Sequence, residues 1–330
     1  MNEQKISLNN IGAVTNALDI AMERDKNVVV YGEDVGFEGG VFRATAGLQK
    51  KYGDQRVWDA PISESAIAGS ATGAALAGLR PVAEMQFSGF SFYAMGQIFS
   101  NTARYRNRSR GTLSCPVVFR MPCGGGVKAL EHHSEALETL YAHIPGLKVV
   151  MPSTPYDTKG LLLAAIEDND PVIFLEHKRI YRAFKQEVPA GHYTVEIGKA
   201  NVMIPGDDLT VVTYGHMVHE TIAALKDLNA KGKEYSIEVI DLRTIKPLDT
   251  ETIVNSVKKT GRLLVVSEAV QTLSIATEII TRVNEHAFDD LLAAPRRLNA
   301  PDVTVPLPSL EPYFMVTKEK IATVIEEMLG

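Results

Sequence analysis

Cysteine, basic charge and long apolar runs are all scarce in this 330-residue sequence. Cys115 and Cys123 are its only cysteines, too few for a disulfide framework, so we expect them to be buried thiols in a reducing compartment. The 34 Lys and Arg against 40 Asp and Glu give a formal net charge of −6. That charge argues against a nucleic-acid or anionic-membrane binder, because such proteins need a strongly positive face. Apolar stretches break at charged residues well short of the ~18 residues of a membrane span.

A targeting segment is not indicated either. The first thirty residues mix Asp, Glu and Asn among apolar positions, unlike a secretory signal or a transit peptide. We therefore expect a cytoplasmic protein, or a mitochondrial-matrix protein if a precursor was processed. The composition, 45% hydrophobic and 22% charged, is that of an ordinary globular chain, and the length favours two domains.

Short runs of Val, Ile, Leu and Phe recur between segments of helical periodicity in the first half. Such runs, without polar alternation, are typical of strands buried on both faces of a parallel sheet, which indicates an α/β fold. The predicted strands are Val28–Tyr31, Pro81–Phe87, Pro116–Arg120, Leu147–Met151 and Val172–Leu175, and the clearest predicted helices are Ile11–Arg24 and Pro155–Glu167.

The same alternation restarts at Leu209, after a segment rich in proline and glycine without helical pattern. We therefore predict a first domain over residues 1–190, a linker over 191–207 and a smaller α/β domain over 208–330. Helices are predicted in the second domain near Val218–Asn229, Thr250–Lys258, Ile275–Phe288 and Lys318–Met328.

A helix made almost wholly of Ala, Gly, Ser and Thr follows residue 63. Ser63 is in position to cap it, and Glu64 then falls in the first turn, where a carboxylate complements the helix dipole. Glu64 either serves only this helix end or stands at the carboxyl end of a parallel strand, where such sheets bind ligands. Spacing alone leaves both readings open.

Two glycine-rich loops also follow predicted strands. Gly32-Glu33-Asp34-Val35-Gly36 is neither a Walker A loop nor a complete dinucleotide motif, and it indicates either a turn or a ligand or partner contact. The Gly124-Gly125-Gly126 run could cradle a phosphate, although no Lys-Ser or Lys-Thr follows it.

Two polar clusters have competing interpretations. In Glu131-His132-His133-Ser134-Glu135 the adjacent histidines would point about 100° apart on a helix, which disfavours a metal site and leaves a solvated helix start or a catalytic histidine. The four arginines at alternate positions 104–110 would line one face only of an extended segment. In an acidic chain they favour a subunit contact or a carboxylate-bearing ligand over nucleic acid.

Long stretches of the chain resemble the beta subunits of the thiamine-diphosphate-dependent 2-oxo acid dehydrogenases, the family of the pyruvate dehydrogenase first component. The resemblance rests on GEDVGFEGGVFRATAGLQ, PISESAIAGSATGAALAGLRPVAEMQF, ARYRNRSRG, HHSE, AHIPGLKVVMPSTPYDTKGLL, DPVIFLEHKRIYR, VIDLRTIKPLD and SVKKTGRLLVVSEA, which span nearly the whole chain. It implies a transketolase-like fold, with a pyrimidine-binding domain containing a parallel sheet and a smaller α/β C-terminal domain used for assembly.

The resemblance also implies the site residues. Glu64, in the E-S-A-I motif, falls where the family's glutamate contacts the N1′ nitrogen of the cofactor's aminopyrimidine and shifts the ring toward its imino tautomer. The positions of Ile62, Gln86 and Phe87 match segments that pack around the pyrimidine. His133 matches a family histidine near the reaction intermediate or the incoming lipoyl group. Its motif reads His-Ser-Glu here instead of His-Ser-Gln, which leaves the protonation state of His133 open.

Two metal ions are implied as well. Some relatives bind a structural potassium ion, and the matching positions are Val117, Ala165, Ile166, Asp168 and Asp170, whose oxygens are of the type that suits a hard cation. Family enzymes hold the diphosphate through magnesium and a Gly-Asp-Gly motif, which this sequence lacks. The chain is therefore expected to supply half a site, with the magnesium held mainly by an alpha subunit.

The resemblance thus predicts the beta subunit of an α2β2 pyruvate dehydrogenase. Its expected reaction is oxidative decarboxylation of pyruvate with acetyl transfer to the lipoamide of a transacetylase core, which yields acetyl-CoA in the whole complex. A branched-chain 2-oxo acid or acetoin dehydrogenase beta subunit shares the same motifs and stays open. A non-catalytic assembly scaffold is the alternative of another class, disfavoured by the presence of Glu64 and His133.

Overall fold

The computed structural model describes residues 4–330. Its strands are β1 (Lys5–Leu8), β2 (Val28–Gly32), β3 (Val57–Asp59), β4 (Arg80–Glu84), β5 (Val118–Cys123), β6 (Lys148–Val150), β7 (Val172–His177), β8 (Gln186–Pro189), β9 (Asn201–Ile204), β10 (Leu209–Thr213), β11 (Ile237–Asp241), β12 (Thr244–Lys246), β13 (Leu263–Val270) and β14 (Arg296–Ala300). Its α-helices are α1 (Asn10–Arg24), α2 (Leu48–Tyr52), α3 (Glu64–Leu76), α4 (Met95–Ser100), α5 (Tyr105–Arg108), α6 (Glu138–His143), α7 (Pro155–Glu167), α8 (His216–Ala230), α9 (Thr250–Thr260), α10 (Ile275–Ala287), α11 (Glu311–Phe314) and α12 (Lys318–Leu329).

Two sheets organise these elements, and the predicted α/β class is confirmed. The first sheet has the order β12-β6-β7-β5-β4-β2-β3 and is parallel except for β12, which runs antiparallel to β6. The second has the order β14-β13-β10-β11-β9 and is parallel except for β9. A separate antiparallel pair joins β1 to β8.

Local signals account for the helix starts. Asn9 caps α1, its side-chain oxygen accepting from the Gly12 amide at 2.9 Å. Thr154 caps α7 in the same way, and Pro155 occupies the first turn, where its missing N–H costs nothing. The apolar stripe of α1 is buried against α7 on one face of the first sheet.

The core between the sheets is continuous across the two halves of the chain. Alternate residues of the central strands point to opposite faces, so Val118 packs beneath α1 and α7 while Phe119 faces the second domain. The cluster around Phe119 includes Val212 and Leu263 of the second sheet. Burial of this shared apolar surface holds the two sheets together.

Two strands depart from a simple division of the chain. β9 lies inside the segment predicted as a linker, yet it pairs with β11 in the second sheet. β12 lies in the second half of the sequence, yet it pairs with β6 at the edge of the first sheet. Within the described residues, no helix combines the length and apolarity needed to cross a membrane.

Candidate functional site

The predicted pyrimidine residues lie at the carboxyl edge of the first sheet, where β2, β3 and β4 end. Glu64 is the first residue of α3, and its side chain is buried. Ser63 occupies the N-cap position, but its side chain makes no capping hydrogen bond, so that part of the prediction is wrong. The small residues of α3 allow it to pack closely against β4 and the 3₁₀ turn Ser88–Ala94.

Glu33 and Asp34 follow β2, and Glu33 lies close enough to Glu64 for their charges to interact. Glu33 is buried, and its Oε1 has no hydrogen-bond partner among the described residues. Burial, together with the charges of Glu64 and Asp34, raises the pKa of Glu33 to about 7. Glu33 and Glu64 therefore form a pair of buried carboxyl groups in which a proton is retained near neutral pH.

Gln86 and Phe87 continue this edge at the end of β4. The Gln86 amide donates to the Asp34 carboxylate at 2.8 Å, which ties the β4 end to the β2 loop. Phe87 is buried and packs edge-on against Phe42 at 5.6 Å between ring centroids. Ile62, by contrast, is 85% exposed, an unusual situation for a large aliphatic side chain next to buried acids.

His133 joins the same edge through aromatic contacts. It ends the 3₁₀ turn Glu131–His133, and its ring stands edge-on to Phe87 at 4.4 Å and to Phe90 at 5.1 Å. Its Nδ1 is buried and has no partner among residues 4–330. Burial lowers the pKa of His133, and the charges of Lys178 and His132 add to this effect. These influences favour the neutral imidazole, the form that can accept a proton.

Glycine permits this approach at one position. A Cβ on Gly89 would lie 2.2 Å from the carbonyl oxygen of His132, so only glycine lets the turn after β4 reach the histidine segment. Ser88 secures the contact by donating to the Glu135 carbonyl at 2.9 Å.

A buried ion network lies in the sheet beside this edge. Arg120 on β5 is fully buried and donates to Glu84 on β4 at 2.6 Å and to Glu176 on β7 at 2.6 and 2.9 Å. The hydroxyl of Tyr181 donates to Glu176 at 2.7 Å. These bonds cross three neighbouring strands and fix the spacing of the strand ends that carry the site.

Two of the three glycines at 124–126 bind carboxylates, and the Gly124 amide donates to the Glu135 carbonyl. The Gly125 amide donates to Glu268 at 2.5 Å, and the Gly126 amide donates to Glu311 at 2.6 Å. Glu268 also pairs with His177 at 2.7 Å. These five residues form what we call the interdomain joint, because the loop and His177 belong to the first half of the chain and both glutamates to the second. The amides that could have cradled a phosphate are engaged inside the protein.

The residues predicted to bind potassium lie near the other edge of the sheet, where the parallel strands begin. The Arg80 guanidinium donates to the carbonyls of Ile166 and Asp168, both at 3.0 Å. The Asp168 carboxylate accepts from Lys148 at 2.5 Å, and the Asp170 carboxylate pairs with Arg106.

The other predicted potassium ligands, Val117 and Ala165, are also engaged within the protein. Val117 uses its carbonyl to accept the Val172 amide at 2.9 Å, and Ala165 lies buried within α7. The donor set does not fit a potassium ion, because cationic side chains already supply the positive charge that the ion would bring. Among the described residues, no cluster of three or more His, Cys, Asp or Glu side chains could hold a metal.

The arginine segment differs from its extended prediction. Residues 102–104 form a 3₁₀ turn and 105–108 form α5, so the four arginines do not share one face. Three of them, Arg104, Arg106 and Arg110, nevertheless line a groove of about 920 Å³ with Lys148. Both cysteines are free and buried, as predicted.

Lys178 was missed by sequence reasoning. It follows β7 directly and is buried, and its ammonium donates to the Gly124 carbonyl at 2.5 Å. A basic residue in a charged segment gives no sign of burial, so composition could not have singled it out. Glu33 was identified only as part of a glycine-rich loop, because its burial and its unpaired Oε1 arise only in the folded structure.

Known proteins resemble the chain over nearly its whole length. The profile described as "Transketolase, pyrimidine binding domain" matches residues 7–183, and "Transketolase, C-terminal domain" matches residues 198–321. The chain is 57% identical to the pyruvate dehydrogenase E1 component subunit beta of Mycoplasma pneumoniae, covering 98% of each protein. It is 50% identical to the 2-oxoisovalerate dehydrogenase subunit beta of Bacillus subtilis, covering 96% of this chain and 97% of that protein.

A solved structure supports the fold alone. The chain is 20% identical to a protein described as "Split gene transketolase, inactive beta4 tetramer", with a TM-score of 0.77 and 98% of each chain covered. The transketolase-like arrangement predicted from the sequence is therefore confirmed.

Proposed function

Because the chain belongs to the family of pyruvate dehydrogenase E1 beta subunits, which implies thiamine diphosphate dependence and an alpha-subunit partner, we propose that it completes the active site of an α2β2 pyruvate dehydrogenase. The observation that carries this proposal is the grouping of Glu64, Glu33 and His133 at one sheet edge. Bound there, thiamine diphosphate supplies the electron sink for decarboxylation of a 2-oxo acid.

The residues at the edge fit the aminopyrimidine of this cofactor. Glu64 presents a buried carboxyl group able to exchange a proton with a ring nitrogen, and Glu33 retains a proton beside it near neutral pH. Phe87 offers an aromatic face, and Gln86 offers a side-chain amide held by Asp34. His133, close to Phe87 and with a lowered pKa, would accept the hydroxyl proton of the group being transferred and pass it to the sulfur that is released when the lipoyl disulfide opens.

The alpha subunit supplies the other half of the site. The sequence has no Gly-Asp-Gly motif, so magnesium and the diphosphate are held by the partner. Two apolar side chains at this edge, Ile62 and Phe37, are each 85% exposed in the isolated chain. Covering them is favourable, so we place the contact with the alpha subunit here.

The second domain serves assembly. We assign residues 1–190 to cofactor binding, 191–207 to the connection and 208–330 to contacts with a second beta subunit and with the lipoyl transacetylase core. Exposed apolar residues of this domain support the assignment; they include Leu273, Phe288, Leu307, Leu310 and Tyr313.

A branched-chain substrate is the second candidate, favoured by the 50% identity to a 2-oxoisovalerate dehydrogenase subunit. The pyruvate assignment is supported by the higher identity of 57% to a pyruvate dehydrogenase subunit.

Reconstitution of the enzyme tests both the proposed activity and the choice of substrate. The chain is mixed with its alpha subunit, magnesium and cofactor, and turnover is compared with pyruvate and with 2-oxoisovalerate. We expect pyruvate to have the higher kcat/KM. Preference for 2-oxoisovalerate would select the second candidate, and no turnover beside an active alpha chain would favour an assembly scaffold.

Cofactor affinity of the isolated chain tests the shared site. One charge-assisted hydrogen bond contributes about 1.5–3 kcal/mol, far from the ~8 kcal/mol that micromolar affinity needs. Calorimetric titration with cofactor and magnesium should therefore detect no micromolar binding until the alpha subunit is added. Tight binding without the partner would show that the site is not shared.

A further inference from the structure

Lys178 is a buried cation without an ion pair in the described chain. Only 5% of the residue is exposed, and no carboxylate lies within salt-bridge distance of its ammonium group. Burying an ammonium group without a paired carboxylate is unfavourable, so its presence here calls for a compensating role.

The ammonium group lies between the interdomain joint and the ring cluster formed by Phe87, Phe90 and His133. Its Nζ donates to the Gly124 carbonyl at 2.5 Å and stands 5.7 Å from the centre of the Phe87 ring. The same Phe87 ring packs edge-on against His133 at 4.4 Å. One aromatic ring therefore contacts both the lysine and the histidine, and a cation over that ring is favourable.

The other charged groups around Lys178 are already engaged. Glu268 of β13 and Glu311 of α11 face it, together with Cys123 of β5, a thiol that burial keeps neutral by raising its pKa. Glu268 is bound by His177 and the Gly125 amide, and Glu311 by backbone amides of the same loop. Burial lowers the pKa of Lys178 to about 8, so at pH 7 it is still charged.

The groups that influence His133 come from two elements. Its own 3₁₀ turn contributes His132 and Glu131, with opposite effects on its pKa, and the segment after β7 contributes Lys178. Burial is the largest influence on the imidazole, and the Lys178 charge is the next. Both disfavour the imidazolium form.

We propose that Lys178 is a positioning residue for His133: its ammonium group anchors the 124–126 loop and sets a positive charge on the Phe87 ring that packs against the imidazole. This inference rests on the proposed role of His133. The cation acts through space and through Phe87, without needing to touch substrate.

The test uses the assembled enzyme with cofactor and magnesium. The eight histidines of the chain are labelled with ¹³C at Cε1, and His133→Gln assigns the signal of interest. In Lys178→Met, which removes the charge but keeps the length, the His133 titration midpoint should rise by roughly one pH unit. The acid limb of the pH profile for lipoyl acetylation should move in the same direction. Lys178→Arg should leave both in place, and so should Lys185→Met at a nearby exposed lysine.

If Lys178→Met does not assemble, a measurement on the unmodified chain still tests the proposal. As Lys178 loses its proton near pH 8, the His133 signal should show a second, smaller inflection. Absence of that inflection, or an unchanged His133 midpoint in Lys178→Met, would overturn the proposal. An equal shift in Lys178→Arg would assign the effect to packing.

His133→Ala separates this inference from the proposed function. A fall in lipoyl acetylation of ~10²–10⁴-fold, with assembly intact, is expected if His133 acts in transfer. Normal rates in that variant would remove the proposed role of His133 even if the coupling to Lys178 were observed. Impaired rates with no effect of Lys178→Met on the titration would reject only the positioning role.

Discussion

The carboxylates at the carboxyl edge of the first sheet and those at the interdomain joint are similarly buried but have opposite surroundings. At the joint, Glu268 accepts from His177 and from the Gly125 amide, and these partners overcome the effect of burial and lower its pKa to about 2. At the edge, Glu33 has an oxygen without a partner among residues 4–330, and burial beside Glu64 raises its pKa to about 7.

The difference shows how one residue type serves two purposes. A buried carboxylate that has donors is permanently charged and links structural elements. A buried carboxyl group without donors, next to a second acid, retains a proton that it can exchange near neutral pH. The first arrangement stabilises the fold, whereas the second is destabilising and is useful only where chemistry requires it.

The largest expected effect is that of Glu64→Gln at the edge. Glutamine nearly preserves volume and can still hydrogen-bond a ring nitrogen, but it cannot exchange a proton with it. We expect assembly to persist while hydrogen–deuterium exchange at C2 of the bound cofactor slows by at least ~10²-fold. The measurement is made on the reconstituted tetramer.

A matched control is Glu319→Gln, which changes an exposed acid in the first turn of α12 and should leave exchange unaltered. An unchanged exchange rate in Glu64→Gln would reject the assignment of this residue.

The second largest expected effect is a loss of folding stability on substitution of Glu268 at the interdomain joint. Because the folded pKa of Glu268 lies near 2, below its ordinary value of 4.5, its contribution is present above pH 4.5 and is lost as the pH falls toward 2. Glu268→Gln should therefore reduce the free energy of unfolding at pH 7 by about 3 kcal/mol and flatten the acid limb of stability. Urea unfolding across this pH range measures both, with the exposed Glu285→Gln as control.

Glu33→Gln should have a smaller effect of the opposite sign. Its folded pKa of about 7 exceeds the ordinary 4.5, so the folded state holds its proton more tightly and this group's contribution falls as the pH rises from 4.5 to 7. The variant should be more stable than the parent at about pH 8, by on the order of 1 kcal/mol, and no less stable near pH 4.5. Equal pH dependence of thermal unfolding in both proteins would contradict this; exposed Glu23→Gln is the control.

The smallest expected effect is that of potassium. Since Arg80 and Lys148 already engage the oxygens of Ile166 and Asp168, replacing about 0.1 M sodium chloride with potassium chloride should not change the thermal midpoint. A rise specific to potassium would show that the ion displaces these side chains.

Elements with local signals were predictable from the sequence. Helix α7 was predicted with its observed bounds, because Pro155 marks its first turn and the helix ends before Asp168. Glu64 was placed correctly in the first turn of α3, although spacing alone did not distinguish a helix-end role from a ligand role. Only the resemblance to a known family favoured the ligand role of Glu64.

Features that depend on distant partners were not predictable. The three glycines at 124–126 resemble a phosphate-binding loop, and nothing local indicates that Glu268, over 140 residues later, accepts from the Gly125 amide. Burial of Lys178 likewise depends on residues from several distant elements. Periodicity indicates on which face of its helix or strand a residue lies, but not which distant residues pack against that face.

The position of β12 has a consequence for synthesis on the ribosome. The first sheet is otherwise complete once β7 has emerged, yet its β6 edge pairs with residues 244–246. Until that segment leaves the exit tunnel, β6 presents unpaired backbone groups on a nascent chain whose remaining strands have already formed. Ribosome-bound chains stalled before residue 244 should therefore be the most prone to aggregate, and chains stalled well beyond it should be protected.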